Sequence, residues 1–289
     1  MTFLDSVRGM KVYFAQCRDL KSVFERLFCR HNKGMLAEYL KFLTSPASTY
    51  AKELGYLKES IAFESRAQRN WKLWENHFTR CQDLIFSKAD NSAKPARPTR
   101  NIWVLGSGSL YETPWQKLAD QGRKIKLVDV YHPPRVKKLI KGYSQVQCVQ
   151  MDVTGFDDLS PLQKVLLKSP VVPPLSVHPN DLMISCNMLS QLPICPLQYL
   201  MKNTDISVEE KIQWARRLQA QHWNWLQSFG CEVLVISDFE IHHLGKNSEV
   251  LRIEEQPFRP LAEKSAAWDW QWADDCVRKV EAYSIPRKA

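Results

Sequence analysis

The stretch NIWVLGSGSL, residues 101–110, breaks an apolar run with two glycines and two small hydroxyl residues. Gly106 and Gly108 lack a Cβ, so the backbone there can turn tightly and can lie directly against a ligand. Gly106, Ser107 and Gly108 are therefore candidate residues for holding a nucleotide-like cofactor. A dinucleotide-binding fingerprint needs a third glycine where the next helix begins, and the next glycine here is Gly122. On their own, the two glycines also fit an ordinary tight turn.

Three further polar residues follow apolar runs. Asp129 ends KLVDV and comes 23 residues after Gly106, near the spacing at which an acid meets a ribose diol. A carboxylate can accept hydrogen bonds from both ribose hydroxyls. Asp152 in MDVTG stands where a carboxylate could accept from an adenine amino group, and Asn187 in SCNMLSQL stands at the end of a fourth run. The four run ends together indicate one ligand site more strongly than any of them alone.

Short apolar runs alternate with amphipathic segments from residue 101 onward. The predicted strands are 102–105, 125–130, 146–153, 181–189 and 231–239, and the predicted helices between them include 159–168 and 208–230. We predict an α/β fold with a doubly wound, mostly parallel sheet of seven strands. The alternating tail, AAWDWQW and VRKVEAYSI, predicts a C-terminal antiparallel hairpin. In such a sheet, ligands bind beyond the carboxyl ends of the strands.

The motifs VLGSGS, LVDVYHP, VQMDVTG and DLMISCNMLSQLP resemble successive motifs of the class I S-adenosylmethionine-dependent methyltransferases. The resemblance covers residues 101–289 and implies S-adenosylmethionine as the cofactor. It implies that Gly106 and Gly108 face the methionine part, that Asp129 faces the ribose, and that Asp152 with Val153 faces the adenine. It also places Asn187 at the edge of the methyl-transfer cavity.

The sequence departs from the family pattern in the glycine loop. The family has an acid two residues before the first glycine, where this chain has Val104, and a third glycine where this chain has Leu110. We interpret the segment from Gly106 to Thr113 as a longer loop, with Thr113 capping a helix that begins later. Glu112 in that loop is a candidate partner for the amino group of the cofactor, in place of the missing acid.

Residues 1–92 read as a helical N-terminal domain and residues 93–289 as the methyltransferase-like domain. Helices are predicted over residues 19–31, over MLAEYLKFL, and from a Ser45 cap to about Ser87. In the last of these, five residues fall on one helical stripe, which predicts a buried face: Trp71, Trp74, Phe78, Cys81 and Ile85. The Pro-, Ser- and Lys-rich segment 87–100 is typical of a linker.

The basic charge is concentrated in the first third of the chain. Residues 1–100 carry 18 Lys and Arg against 10 Asp and Glu, whereas residues 101–289 carry 22 against 21. An RNA or another polyanion is therefore a candidate partner, although a solvated helical surface explains the charge more simply. The eight scattered cysteines lack a CxxC pair, so we expect neither a metal site nor a disulfide framework. No run is long enough for a membrane span or a signal peptide, and we expect a cytoplasmic protein.

Three functions stay open at this stage. The first is methyl transfer to an unknown small-molecule, protein or RNA acceptor. The second is an NAD-dependent oxidoreductase, since a glycine turn and an acid after the second strand also suit NAD. The third is a non-catalytic methyltransferase-like binding protein. The catalytic residues are unknown; His132, His242 and His243 lie near predicted strand ends as candidate bases. No Asn-Pro-Pro-Tyr follows the fourth strand, which disfavours methylation of base amino groups.

Overall fold

The computed structural model describes residues 32–91, 101–155, 175–205 and 207–287. The chain divides into two compact units, Met1–Ser45 and Pro46–Ala289. In the first unit, helix α1 spans Asn32–Thr44. The predicted helices over residues 19–31 and 159–168 lie outside the described residues. So does the predicted domain boundary between residues 92 and 93, which stays a prediction.

The described strands of the second unit form one sheet of eight, in the order β3-β2-β1-β4-β5-β8-β7, with β6 paired to β5. Strands β1 to β5 pair in parallel, and β6, β7 and β8 pair antiparallel to their neighbours. The strands are β1 Ile102–Leu105, β2 Ile125–Asp129, β3 Val146–Gln150, β4 Leu182–Cys186, β5 Glu232–Leu244, β6 Val250–Glu255, β7 Lys264–Ala273 and β8 Cys276–Ile285. The predicted sheet and its C-terminal hairpin are confirmed, and β6 is an addition that the sequence analysis missed.

Both faces of the sheet are buried, as the continuous apolar runs require. All four residues of β1 are buried. Ile102 and Val104 belong to one hydrophobic cluster, and Trp103 and Leu105 belong to the other. Successive side chains of a strand point to opposite faces, so β1 anchors two hydrophobic layers at once.

In the described residues, helices follow β1, β2 and β4. They are α5 Trp115–Asp120, α6 Pro134–Ile140, α7 Met188–Gln191, α8 Ile194–Asn203 and α9 Val208–Ser228. Helix α9 begins with a capping box in which Ser207 and Glu210 bond each other's backbone N–H. The predicted Thr113 cap is wrong: Pro114 is the N-cap of α5, with no side-chain cap bond.

The predicted long helix from Ser45 to Ser87 is three helices: α2 Thr49–Glu53, α3 Tyr56–Arg69 and α4 Trp71–Asn91. Ser48, rather than Ser45, caps α2 by accepting from the Ala51 N–H. Gly55, with a φ of 95°, separates α2 from α3 because a left-handed residue cannot continue a helix. Helix α4 continues through the first five residues of the predicted linker.

The aromatic stripe of α4 packs against β7. Trp74 is fully buried, stacks on Trp272 with ring centroids 4.3 Å apart, and lies edge-on to Trp270 at 5.2 Å. Its indole N–H donates to the Trp272 carbonyl at 2.8 Å. Trp71, at the start of the same stripe, is 42% exposed. The stripe is therefore buried core except at its first residue.

In the described residues, none of the helices is both long and apolar enough to cross a bilayer. The same residues contain no group of three or more His, Cys, Asp or Glu side chains placed to hold a metal ion.

Replacing Trp74 with alanine removes a large buried ring and the shorter of two side-chain hydrogen bonds to the Trp272 carbonyl. We expect Trp74→Ala to lower the free energy of unfolding by about 3–5 kcal/mol, measured by urea denaturation. Trp71→Ala on the same helix is the control and should cost less than half as much, because that ring is partly exposed. Equal losses in the two variants would contradict the packing described here.

Candidate functional site

The loop after β1 uses left-handed backbone at three positions. Gly106, Gly108 and Leu110 have φ values of 66°, 49° and 65°. A Cβ at Gly106 would overlap the side chain of Met188, so the glycine is required there for close packing. The contact that glycine permits here is with the protein's own Met188, and contact with a cofactor stays a prediction.

Leu110 occupies the position where the family pattern has its third glycine. It keeps the left-handed φ of a glycine, although a residue with a Cβ rarely adopts it. The Leu110 side chain is only 4% exposed and belongs to the hydrophobic cluster beneath the loop. Burial of this side chain opposes the backbone strain and explains how the turn survives without glycine.

Asp129 ties the end of β2 to the glycine loop. Its Oδ2 accepts from the Gly108 N–H at 2.8 Å, and its Oδ1 accepts from the Tyr131 N–H at 3.2 Å. Burial raises the pKa of Asp129, and these N–H groups partly offset that rise. Each oxygen accepts one of these bonds and keeps a lone pair, so the carboxylate can still accept from a diol.

Asp152 is held by four donors. Oδ1 accepts from the N–H of Thr154 at 2.8 Å and from its hydroxyl at 2.6 Å. Oδ2 accepts from the hydroxyl of Tyr56 at 3.1 Å and from that of Tyr50. These bonds fill the carboxylate, so an adenine amino group could bind Asp152 only by replacing a tyrosine. Val153 beside it is buried among the apolar residues of the second cluster.

Asn187 and Glu112 meet at the mouth of β4. Asn187 has a left-handed φ of 54°, and its amide nitrogen lies 3.4 Å from Glu112 Oε1 and 3.2 Å from His77 Nε2. Burial raises the pKa of Glu112 to about 7, although the Asn187 bond lowers it in part. Burial also lowers the pKa of His77 to about 3, and its Nδ1 accepts from the Trp268 N–H at 3.1 Å. His77 is therefore a neutral structural group behind the site.

All eight residues predicted to bind the cofactor line a single cavity of about 380 Å³. They are Gly106, Ser107, Gly108, Glu112, Asp129, Asp152, Val153 and Asn187. The carboxyl ends of β1 to β4 supply them, as the topology requires. The structure thus brings the predicted residues together, and their individual roles stay predictions.

The opposite wall of the cavity was missed by the sequence analysis. One face of α3 lines it with Tyr56, Glu59, Ser60, Phe63 and Arg66. Trp272 from β7 and Arg278 from β8 also line it. The three- and four-residue spacing along α3 was a readable signal, but it looked like an ordinary amphipathic face. No sequence pattern pointed to Arg278.

The three histidines that the sequence analysis named as candidate general bases lie outside the cavity lining. His132 contacts the Val149 carbonyl at 3.2 Å, and burial lowers its pKa. His242 and His243 contact Glu240 and Glu254 at 2.8 and 3.1 Å. None of these histidines is among the residues that line the cavity. RNA binding by the basic first third stays a prediction.

No family model and no curated protein matches this sequence. Solved structures with similar topology include 1,6-didemethyltoxoflavin-N1-methyltransferase from Burkholderia thailandensis, bound to 1,6-didemethyltoxoflavin and S-adenosylhomocysteine. It is 12% identical, with 84% of this chain and 92% of that chain covered and a TM-score of 0.40. The N-methyltransferase NodS of Bradyrhizobium japonicum is 12% identical over 74% and 87% of the two chains, with a TM-score of 0.37. Human N-acetylserotonin methyltransferase is 13% identical over 89% and 65%, with a TM-score of 0.28.

The strand order describes the fold directly. Five parallel strands in the order β3-β2-β1-β4-β5 continue into the antiparallel β8 and β7. This is the doubly wound, mostly parallel sheet with a C-terminal antiparallel hairpin that the sequence predicts. The extra strand β6 pairs with the part of β5 that extends beyond β4, so it leaves that order intact.

The half-buried Glu112, whose carboxyl is largely removed from water, makes stability depend on pH. In the native protein its carboxyl keeps a proton up to about pH 7, whereas in the unfolded chain it ionises near its ordinary pKa of 4.5. Stability is therefore lost as the pH rises between these two values. We compare the free energy of unfolding of Glu112→Gln with that of the natural protein. We expect the difference in favour of the variant to be about 2–3 kcal/mol larger at pH 8 than at pH 4.5. Urea denaturation at both pH values checks this, with Glu75→Gln, on the exposed side of α4, as the control. A gain independent of pH would contradict the assigned burial of the charge.

Proposed function

We propose that the chain is an S-adenosylmethionine-dependent methyltransferase. The observation that carries the proposal is the convergence of the ends of β1, β2, β3 and β4 on one cavity that contains all eight predicted residues. Asp129 and Asp152 come from different strands and line the same space. A site for one elongated, nucleoside-containing ligand fits this arrangement.

The residues present fit the cofactor at most positions. Asp129 has lone pairs left for the ribose hydroxyls, and the loop from Gly106 to Gly108 would lie along the methionine part. Glu112 stands in the cavity as the candidate acid for the cofactor's ammonium group, in place of the acid absent at Val104. Asp152 would exchange a tyrosine hydroxyl for the adenine amino group, while Val153 packs beside the ring.

When bound, the cofactor supplies an activated methyl group and a good leaving group for an in-line displacement. The protein has to align the acceptor, exclude water and receive a proton where the acceptor carries one. Side chains of helix α3 line the cavity and would shield a bound cofactor from water on that side.

The first test is direct binding. Isothermal titration calorimetry with S-adenosylmethionine and S-adenosylhomocysteine should show saturable binding, whereas NAD should show none. Asp129→Asn should weaken S-adenosylhomocysteine at least tenfold, because a charge-assisted hydrogen bond to the ribose contributes roughly 1.5–3 kcal/mol. Asp120→Asn, at the exposed end of α5, is the control. Binding of NAD alone would replace this proposal with the oxidoreductase, and binding of none of the three would favour a non-catalytic role.

The role of Glu112 predicts a pH dependence. Its carboxylate form predominates above pH 7 and would pair with the ammonium group of S-adenosylhomocysteine. We expect affinity to fall about tenfold per pH unit below pH 7, and the fall should vanish in Glu112→Gln. An unchanged affinity and pH profile in that variant would remove Glu112 from the cofactor site.

A further inference from the structure

One end of the cavity is built from residues that the cofactor assignment leaves unused. Arg66 and Phe63 from α3, Trp272 from β7 and Arg278 from β8 line it. We propose that this end is the acceptor subsite and that it takes a small aromatic carboxylic acid, with Arg278 and Arg66 binding the carboxylate. The inference rests on the proposed methyltransferase function, of which it names the substrate class.

Arg278 is a fixed anion-binding group. Its Nη1 donates to Oδ2 of the fully buried Asp238 at 2.7 Å, and Ser190 donates to the other oxygen of that carboxylate. The guanidinium carbon lies 3.9 Å from the centroid of the Trp272 ring. An ion pair on one side and an indole face on the other set the orientation of the guanidinium. Within the described residues its one recorded hydrogen bond goes to Asp238, and a guanidinium has five donors.

Arg66 adds a second cation, which is held less tightly by its partner. Its contact with Glu59 is 3.5 Å long, and both side chains are about a third exposed, at 34% each. Exposed pairs of this length hold their partners weakly. Arg66 also lies 5.7 Å from the Trp272 ring, so both guanidiniums border the same indole. Two guanidiniums beside one aromatic ring match a planar carboxylate, which accepts paired N–H bonds.

The walls between the charges are aromatic. Phe63 packs on Trp74 and Tyr111, with centroids 5.5 and 6.4 Å away. Trp272 is itself held by the stacked Trp74. Rigid aromatic walls with a few convergent donors are typical of pockets for planar organic ligands. A bulky peptide or RNA would need an open groove instead.

The position of Arg278 separates it from the methionine end of the cofactor. Strand β8 is three places from β1 in the sheet, about 14 Å at the usual strand spacing. Arg278 pairs with Ile241 of β5, whereas the last residue of β4 pairs with Ile236, so this part of β5 and β8 extends beyond the edge of the parallel strands. The arginine therefore stands on the far wall, across from the glycine loop after β1.

The experiment measures binding of matched acids and amides to the full chain, with and without saturating S-adenosylhomocysteine. The probes are benzoate and benzamide, 4-hydroxybenzoate and its amide, and indole-3-acetate and its amide, titrated by ligand-observed NMR. We expect at least one acid to bind five times or more as tightly as its amide. Arg278→Gln and Arg66→Gln should each reduce that preference to less than twofold while leaving S-adenosylhomocysteine affinity within twofold of the natural protein.

Arg69→Gln is the matched control, because Arg69 lies on the exposed side of the same helix and does not line the cavity. It should keep the preference. Arg278 pairs with a buried acid, so if its variant unfolds, Arg66→Gln, at a partly exposed position, decides the question. Lack of any acid preference in the natural protein, or a preference that survives Arg66→Gln, overturns the proposal. Failure of S-adenosylhomocysteine to bind would overturn the methyltransferase function separately, since the acid and amide comparison is also made without it.

Discussion

The carboxylates of Asp129 and Asp152, held largely out of water at the carboxyl edge of the sheet, are the constraint on which the site depends. A carboxylate removed from water costs several kcal/mol unless N–H or O–H groups take the place of the solvent. Asp129 satisfies this by fixing the N–H of Gly108, so the glycine loop is held by the very acid that faces it. Asp152 satisfies it by fixing Thr154 and two tyrosines. The hydrogen bonds to these two carboxylates therefore fix the conformation of the loops around the cavity.

The tyrosine bonds also explain why the helices before the sheet belong to the site. Tyr50 and Tyr56 lie on α2 and α3, about a hundred residues before Asp152 in sequence. Their hydroxyls hold the start of α3 against the end of β3, and the rest of α3 then covers the cavity with Phe63 and Arg66. The aromatic stripe of α4 holds the other end through Trp74 and β7. Helix α3 therefore forms one wall of the site. A helical domain that acted only as a separate interaction module would not line the cavity in this way.

The sequence was sufficient for the parallel strands, because buried strands such as β1 and β4 are continuous apolar runs with a polar residue at the end. It was also sufficient to bring Gly106, Asp129, Asp152 and Asn187 together, because parallel topology fixes where strand ends meet. It failed where tertiary contacts override local signals. Strand β6 carries exposed apolar residues and exists through pairing with an extended β5. Arg278 is oriented towards the cavity by its contacts with Asp238 and Trp272. No recognisable sequence motif links these three residues.

The departures of the glycine loop from the family pattern share one physical origin. Glycine at position 110 would supply the left-handed φ without strain, yet this chain places Leu110 there and buries its side chain in the core. An acid at position 104 would point from β1, yet Val104 is core, and the only acid of the loop stands at Glu112 beside Asn187. Each change places an apolar side chain in the core beneath the loop, where the family pattern has an acid or a glycine. The loop is thereby anchored by its apolar side chains, and Glu112 is the acid of the loop that lines the cavity.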